Sequence, residues 1–391
     1  SVNFKASAGV NYPVQLPNLL GSADYATLYN EAMINDAKRT GADVSSLKLF
    51  SDQSIENFRK AKGDNSDGLG YNWNYFDYIY KPAMQTDYSL SVRGGSDKAK
   101  YFVLAGYMNQ GSNFDHTNLS QYNTSAKFEK YNFRSNIDVD ITKNFWLKLD
   151  LGALLYNRVN IGSSASLLST LAFTQPPYLP ITLEENDNAA NKAYYQSNPN
   201  GLLYGDQIYR YNVLGELSRT GYHNQKQTEV TGNFSLGYNL DFITKGLKIE
   251  GTFSYDSREG HWIYRTLGTY SEGYRVYPQY ATFVPKDVGR DVYMEGGHYM
   301  GAYTTGNKYS ADQTIGSSLN EDDPYNHTYY QLKLTYDRTF SNVHNVSGML
   351  LLNRSTESVS GGKDVDHRYQ GMTGQFAYNY ASKYFGEFNF G

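Results

Sequence analysis

From Tyr131 the odd positions read Tyr131, Phe133, Ser135, Ile137, Val139 and Ile141, and the even positions Asn132, Arg134, Asn136, Asp138 and Asp140. A period of two with the apolar set on one parity marks a strand with two chemically different faces. After Thr142, Lys143 and Asn144 the alternation resumes. Phe145, Leu147, Leu149, Leu151, Ala153 and Leu155 share one face, and Lys148, Asp150 and Gly152 the other. Both apolar sets fall on odd numbers, so a three-residue turn pairing Ile141 with Phe145 keeps them on one side, whereas a one-residue slip inverts a strand. That register sets Asp138 opposite Lys148.

The same two-faced pattern recurs along the chain. Val2 to Val10, Tyr88 to Val92, Thr228 to Leu240, Leu247 to Tyr255, Tyr330 to Tyr336, Val346 to Leu352, Met372 to Tyr380 and Tyr384 to Phe390 all alternate. Ala99 to Asn109 is also a strand, but it is apolar on both sides and its orientation stays open. About eleven strands result. Between them, Ser22 is placed to cap a helix running towards Arg39, a shorter helix covers Ile55 to Ala61, and a third covers Ser166 to Phe173 ahead of Pro176 and Pro177. The connections alternate in length: those after the first, third, fifth, seventh and ninth strands are the longer ones, and the others span a few residues. Short turns at one end and long loops at the other are the habit of outer-membrane barrels, and soluble sandwiches have no reason to keep it. The fold expected is therefore all-β, a transmembrane antiparallel barrel with short helices in its long outer loops. Eleven is odd and the last strand runs to Gly391, so further strands are expected elsewhere in the polypeptide.

Composition sharpens this. Tyrosine occurs 39 times and glycine 36 times against 10 prolines and no cysteine, and 19% of residues are charged. Aromatic residues suit pleated strands and glycine suits turns and curvature. A net charge of −4 gives no electrostatic case for nucleic acid. No stretch approaches the roughly 20 apolar residues of a membrane helix, which leaves strand crossing untouched. Ser1 opens directly on a strand with no secretory segment, so the natural chain is expected to start upstream.

Three stretches carry a family likeness: Tyr71-Asn-Trp-Asn-Tyr-Phe-Asp-Tyr-Ile-Tyr80, Leu90-Ser-Val-Arg-Gly-Gly-Ser-Asp-Lys-Ala-Lys-Tyr-Phe102 and Gly106-Tyr-Met-Asn-Gln-Gly111. Together they resemble the start of the barrel in SusC-like TonB-dependent transporters of the Bacteroidetes. Leu28-Tyr-Asn-Glu-Ala32 sits where that family has a similar segment, and Tyr378 to Phe390 is similar to a later hairpin. The resemblance implies a barrel of roughly 22 strands with a plugged lumen, of which residues 1–391 supply an N-terminal part of about eleven, with plug and final strands absent. It also implies active import of glycan oligosaccharides or oligopeptides, a SusD-like surface lipoprotein as lid, pairs of such complexes as a dimer, and energy from the TonB complex through a segment missing here. No cofactor is implied.

Chemistry of other kinds finds little support. The seven histidines make no zinc spacing, and there is no nucleophile elbow, phosphate loop or dinucleotide fingerprint. Glu184-Glu185 and Asp322-Asp323 read as solvated pairs rather than glycosidase carboxylates. Asp64-Asn65-Ser66-Asp67-Gly68 has oxygens at calcium-like spacing but lacks the later bidentate Glu, and reads as a turn. No catalytic or metal residue is expected. Arg134, Asp138, Lys148, Asp150, Lys248, Glu250 and Asp256 are expected to face the lumen, as a solvated wall or a solute path. Trp73, Tyr75, Trp262, Tyr264, Tyr274 and Tyr277 fall where an outer vestibule belongs, either binding substrate through their flat rings or packing the loops. Two other function classes stay open: an outer-membrane barrel enzyme, which needs a catalytic constellation at the rim, and a secreted β-rich carbohydrate-binding or adhesion protein.

Overall fold

The computed structural model describes residues 1–114, 125–183, 202–203, 211–218, 220–266, 269–271, 274–276, 292–293, 299–300, 316–321, 324–359 and 365–391. Twelve strands form one antiparallel sheet. In chain order they are β1 Val2–Asn11, β2 Ala83–Gly95, β3 Ala99–Gly111, β4 Lys127–Asp140, β5 Phe145–Ile161, β6 Gly221–Asn239, β7 Leu247–Thr266, β8 Gly316–Glu321, β9 Tyr325–Phe340, β10 His344–Val359, β11 His367–Tyr380 and β12 Tyr384–Phe390. Neighbours in sequence pair with one another except β8 and β9, which both pair with β7. The short β8, which the alternation did not reveal, lies with β9 along one edge of β7, on 261–266 and 247–258 respectively.

Register turns the periodicity into two continuous faces. Phe4 opposes Leu90, Leu90 opposes Ala105, Ala105 opposes Phe133, Phe133 opposes Ala153 and Ala153 opposes Val230. A parallel row runs from Leu236 through Gly251, Leu332 and Leu352 to Met372. These pairings also orient β3: Tyr101, Val103, Ala105 and Tyr107 join the apolar face, and Phe102, Leu104 and Met108 the polar one. The expected hairpin register holds, with Asp138 opposite Lys148 and Asp140 opposite Trp146. The apolar side chains are open: Phe4 is 65% and Met372 52% exposed. Each such side chain forgoes roughly 2 kcal/mol of burial in water, so a face of this extent calls for an apolar covering.

All the short connections, 96–98, 141–144, 240–246, 341–343 and 381–383, lie at one end of the meander. The connections at the other end are 12–82, 112–126, 162–220, 267–324 and 360–366. The last is no longer than 240–246, so the length alternation fades at the final strands. Two of the short turns place non-glycine residues in the left-handed region, Ser341 and Asn342 at φ 51° and 58°, and Ala381 and Ser382 at 50° and 57°. Paired positive φ values are those of the type I′ turn, whose twist matches that of the flanking strands.

Two of the long connections, 12–82 and 162–220, fold on one another. Helix α1 spans Ser22–Thr40, α2 Asp52–Lys60, α3 Tyr75–Ile79, α4 Ala165–Thr174 and α5 Val213–Ser218. Gly21, not Ser22, is the N-cap of α1; the fully buried Ser22 hydroxyl donates instead to the Tyr71 carbonyl at 2.7 Å. One core gathers Phe76, Ile79, Leu168, Leu171, Val213 and Leu217 with Ile161 at the end of β5. A second holds Ala26, Phe50, Tyr178 and Leu179, with Phe58 against it. Residues from 12–82 and 162–220 contribute to both, so these two connections form one cap over the long-loop end of the sheet.

Candidate functional site: the polar face and its aromatic rim

All seven charged residues expected at the lumen occupy the face opposite the apolar one. Arg134, Asp138, Lys148 and Asp150 stand on β4 and β5, and Lys248, Glu250 and Asp256 on β7. Register carries the row of Asp138 and Lys148 on through Ser235, Thr252 and Gln331. Polar side chains satisfy one another across strands. Lys333 lies 3.0 Å from Glu250, His327 lies 3.6 Å from Asp256, and the Asn136 amide donates to Asp150. Trp146 shares this face, with Lys148 Nζ 5.3 Å from its ring centre. Opposite Trp146 stands Gly237, where an added Cβ would come within 2.0 Å of the indole. Only glycine leaves the ring room to lie across the strand.

Towards the cap the face changes character. Beyond Asp256, β7 continues with Trp262 and Tyr264 on the same parity, their rings stacked at 6.0 Å and 23°. Across the ladder Trp262 opposes Gln225 and Tyr264 opposes His223, whose ring lies 4.6 Å from Tyr264. Gln225 in turn opposes Arg158 of β5, which sits over the Phe128 ring at 5.4 Å. Gln225 and Gln227 are buried; the side-chain Oε1 of Gln225 has no hydrogen-bond partner among the described residues, while the Gln227 side-chain amide donates to Glu229 at 2.8 Å. The result is a rim of flat rings beside amide groups and one guanidinium, a surface that accepts rings or extended polar chains.

The other aromatic candidates lie elsewhere. Tyr75 is 2% exposed and its hydroxyl donates to the Pro176 carbonyl at 3.1 Å, which makes it part of the cap core. Trp73 stacks on Tyr71 at 5.8 Å and packs against the same core. Its backbone N–H donates to Pro177 at 2.9 Å. Tyr274 begins a short strand, Tyr274–Val276, paired with Thr269–Ser271, apart from the main sheet. Tyr277 lies outside the described residues, as do Glu184, Glu185, Asp322 and Asp323. Arg158, His223, Gln225 and Gln227 were missed because the alternation of β5 was read only to Leu155 and that of β6 only from Thr228. Extending its parity backwards would have put both glutamines and His223 on the polar face.

The turn at 64–68 uses its carboxylates internally. Asp64 accepts from the Ser66 hydroxyl at 2.7 Å and the Ser66 N–H at 3.0 Å, which holds its carboxyl below the usual range. Asp67 accepts from the N–H groups of Lys62 and Leu69, with the same result.

No family model matches this sequence. The TonB-dependent receptor P3 of Formosa agariphila is 24% identical over 258 residues, which make up 64% of this chain and 23% of that protein. Among solved structures, that of the RagAB peptide transporter superposes with a TM-score of 0.58 at 12% identity, covering 99% of this chain and 41% of the other. The RagAB peptide importer in its open-open state gives 0.56 at 13%, with the same coverage. The chain thus spans less than half the length of these proteins. They are receptors and transporters, not enzymes. At such identities the structural likeness speaks for the fold, and it agrees with the resemblance read from residues 71–111: this chain is similar to SusC-like TonB-dependent transporters, and its antiparallel sheet has the fold of their barrel wall.

Proposed function

We propose that residues 1–391 form part of the barrel of an outer-membrane importer that takes up oligopeptides or oligosaccharides, driven by the TonB complex and working with a SusD-like surface lipoprotein. One observation carries the reading: an apolar face and a polar face, each continuous through consecutive antiparallel strands. That arrangement belongs to a wall with lipid on one side and water on the other. The polar face is then the lumen, and the capped end is the cell exterior. Plug, remaining strands and TonB contact belong to other parts of the polypeptide, and the wall charges line a solvated path. Exposed Tyr12, Val14 and Leu20 on the first long connection suit a lipoprotein partner. The likeness to the RagAB peptide transporter favours peptides, and the amides beside Trp262 and Tyr264 would hydrogen-bond a peptide backbone.

The test is uptake of labelled oligopeptides and oligosaccharides by intact cells of the native host, with and without the gene and with a protonophore. Loss of one class, sensitive to the protonophore, is the expected result. Trp262→Ala should raise the half-saturating concentration about five- to tenfold, the worth of one aromatic contact. Unchanged uptake of both classes in the deletion strain sinks the proposal.

A further inference from the structure

We infer that the membrane face holds a site for one lipid molecule, an acylated, phosphate-bearing glycolipid of the outer leaflet, with its chain in a groove over Gly251 and its phosphate on Arg354. This rests on the barrel reading above.

The groove, of about 520 Å³, lies between the side chains of Leu236, Phe253, Leu332 and Leu352. Gly251 forms its floor. A Cβ added there would have as its nearest neighbour the Gln331 carbonyl at 4.0 Å, so the space is open rather than filled by a partner strand. The walls are aliphatic or aromatic, as an acyl chain requires.

At the outer end of the groove stands Arg354. It shares parity with Leu350 and Leu352, so it projects from the apolar face, and its cross-strand partners are Tyr330 and Gln370. Among the described residues it forms no ion pair. The other arginine nearby on this face, Arg368, is held by Asp366 at 3.2 Å. A cation on a lipid-facing surface is costly at mid-depth and tolerated near the interface. Arg354 lies towards the long-loop end of β10, where the outer interface falls, and its guanidinium there seeks an anion. Guanidinium binds phosphate through two parallel hydrogen bonds. An apolar groove leading to an unpaired guanidinium is complementary to an amphiphile with an anionic head. The end of the sheet at which Arg354 lies selects the outer leaflet.

The experiment uses the whole transporter, purified from native outer membranes in mild detergent, with mass spectrometry of the retained glycolipid per barrel. Arg354→Gln should lower retention about fivefold, the factor that a basic residue near a charged membrane surface contributes. Gly251→Leu should lower it as well, by filling the groove with Arg354 intact. Arg338→Gln is the control: Arg338 is on the same face near the short-turn end, over the Phe340 ring at 4.6 Å, and its loss should leave retention unchanged. Wild-type retention in both the Arg354 and Gly251 variants overturns the inference, as does retention that falls equally in all three. If Gly251→Leu fails to fold, Arg354→Gln decides alone. Detergent partitioning and heat-modifiable migration of the wild type are read in parallel. Failure there counts against the barrel, whereas a sound barrel with lipid-indifferent variants counts only against the site.

Discussion

The sheet and the cap are built from one chain yet bury their apolar side chains in opposite ways. In the cap, short helices and proline-containing loops enclose Ile79, Leu168 and Ala172 at 0% exposure, as a water-soluble domain would. In the sheet, Phe4, Leu332 and Met372 are left open in continuous rows. The difference teaches that hydrophobic residues here answer to two solvents. The cap closes on itself, as a surface in water must; on the proposed barrel reading the sheet needs only alternation, because lipid would complete its burial.

The comparison breaks most readily in the cap. Leu168→Ala deletes a fully enclosed side chain between α3, α4 and α5, with a cost of about 3–4 kcal/mol. Protease cleavage within 162–183 should become rapid while heat-modifiable migration of the barrel stays as it was. Equal loss of both would make cap and wall a single cooperative unit. On the wall, Leu334→Arg places a charge in the middle of the row Ile249, Leu334, Leu350, at a cost of about 2–3 kcal/mol in a bilayer. Gln331→Arg, between Thr252 and Asn353 on the polar face, should cost less than about 0.5 kcal/mol. Denaturant unfolding from liposomes measures both, and matching losses would mean that the two faces do not meet different solvents.

A smaller change sharpens the wall's own geometry. Ala381 and Ser382 hold left-handed conformations that cost L-residues about 1 kcal/mol each. Replacing the pair by Asn-Gly, the preferred type I′ sequence, should stabilise the barrel by about 1 kcal/mol in the same assay. A loss of stability would show that Ala381 or Ser382 has another task at this end.

The wall was legible because its rule is local: a period of two with lipid as the partner needs no knowledge of distant residues. The hairpin register around Thr142 and the placement of Lys148, Asp150 and Glu250 on one face follow from parity alone. β3 was not legible, since Phe102 and Leu104 are apolar on the polar face, and only its pairing with β2 and β4 orients it. The cap was less legible because its rule is tertiary. Tyr75 and Trp262 are both aromatic residues that read as lying in outer loops, but one packs under Pro176 and the other continues a strand onto the rim. Nothing in the local spacing separates a ring that faces the cap core from one that faces solvent. The helices α1, α2 and α4 were legible as helices, although the cap expected of α1 at Ser22 falls on Gly21; α3 and α5, at one or two turns each, are set by the packing around Ile79 and Leu217.

The pH response of the cap offers the finest distinction between the two regions. Asp67 takes the N–H groups of Lys62 and Leu69, and Asp64 takes the hydroxyl and N–H of Ser66; both carboxyls are thereby held below their ordinary values. A lowered folded value means that the charged form is the one the turn prefers. Its contribution is complete above the unfolded carboxylate value, about 3.9, and disappears as pH falls through the lowered folded value. Amide exchange at Lys62, Ser66 and Leu69 should therefore accelerate on acidification from pH 5 to about pH 2, after correction for intrinsic rates. Exchange in β4 and β5, whose ladders are backbone to backbone, should hold over the same interval. Asp67→Asn should remove most of the response at Lys62 and Leu69 and leave that at Ser66. If β4 and β5 loosen in step with the turn, the cap's carboxylates are coupled to the wall, and the boundary between the two solvents is not a boundary in stability.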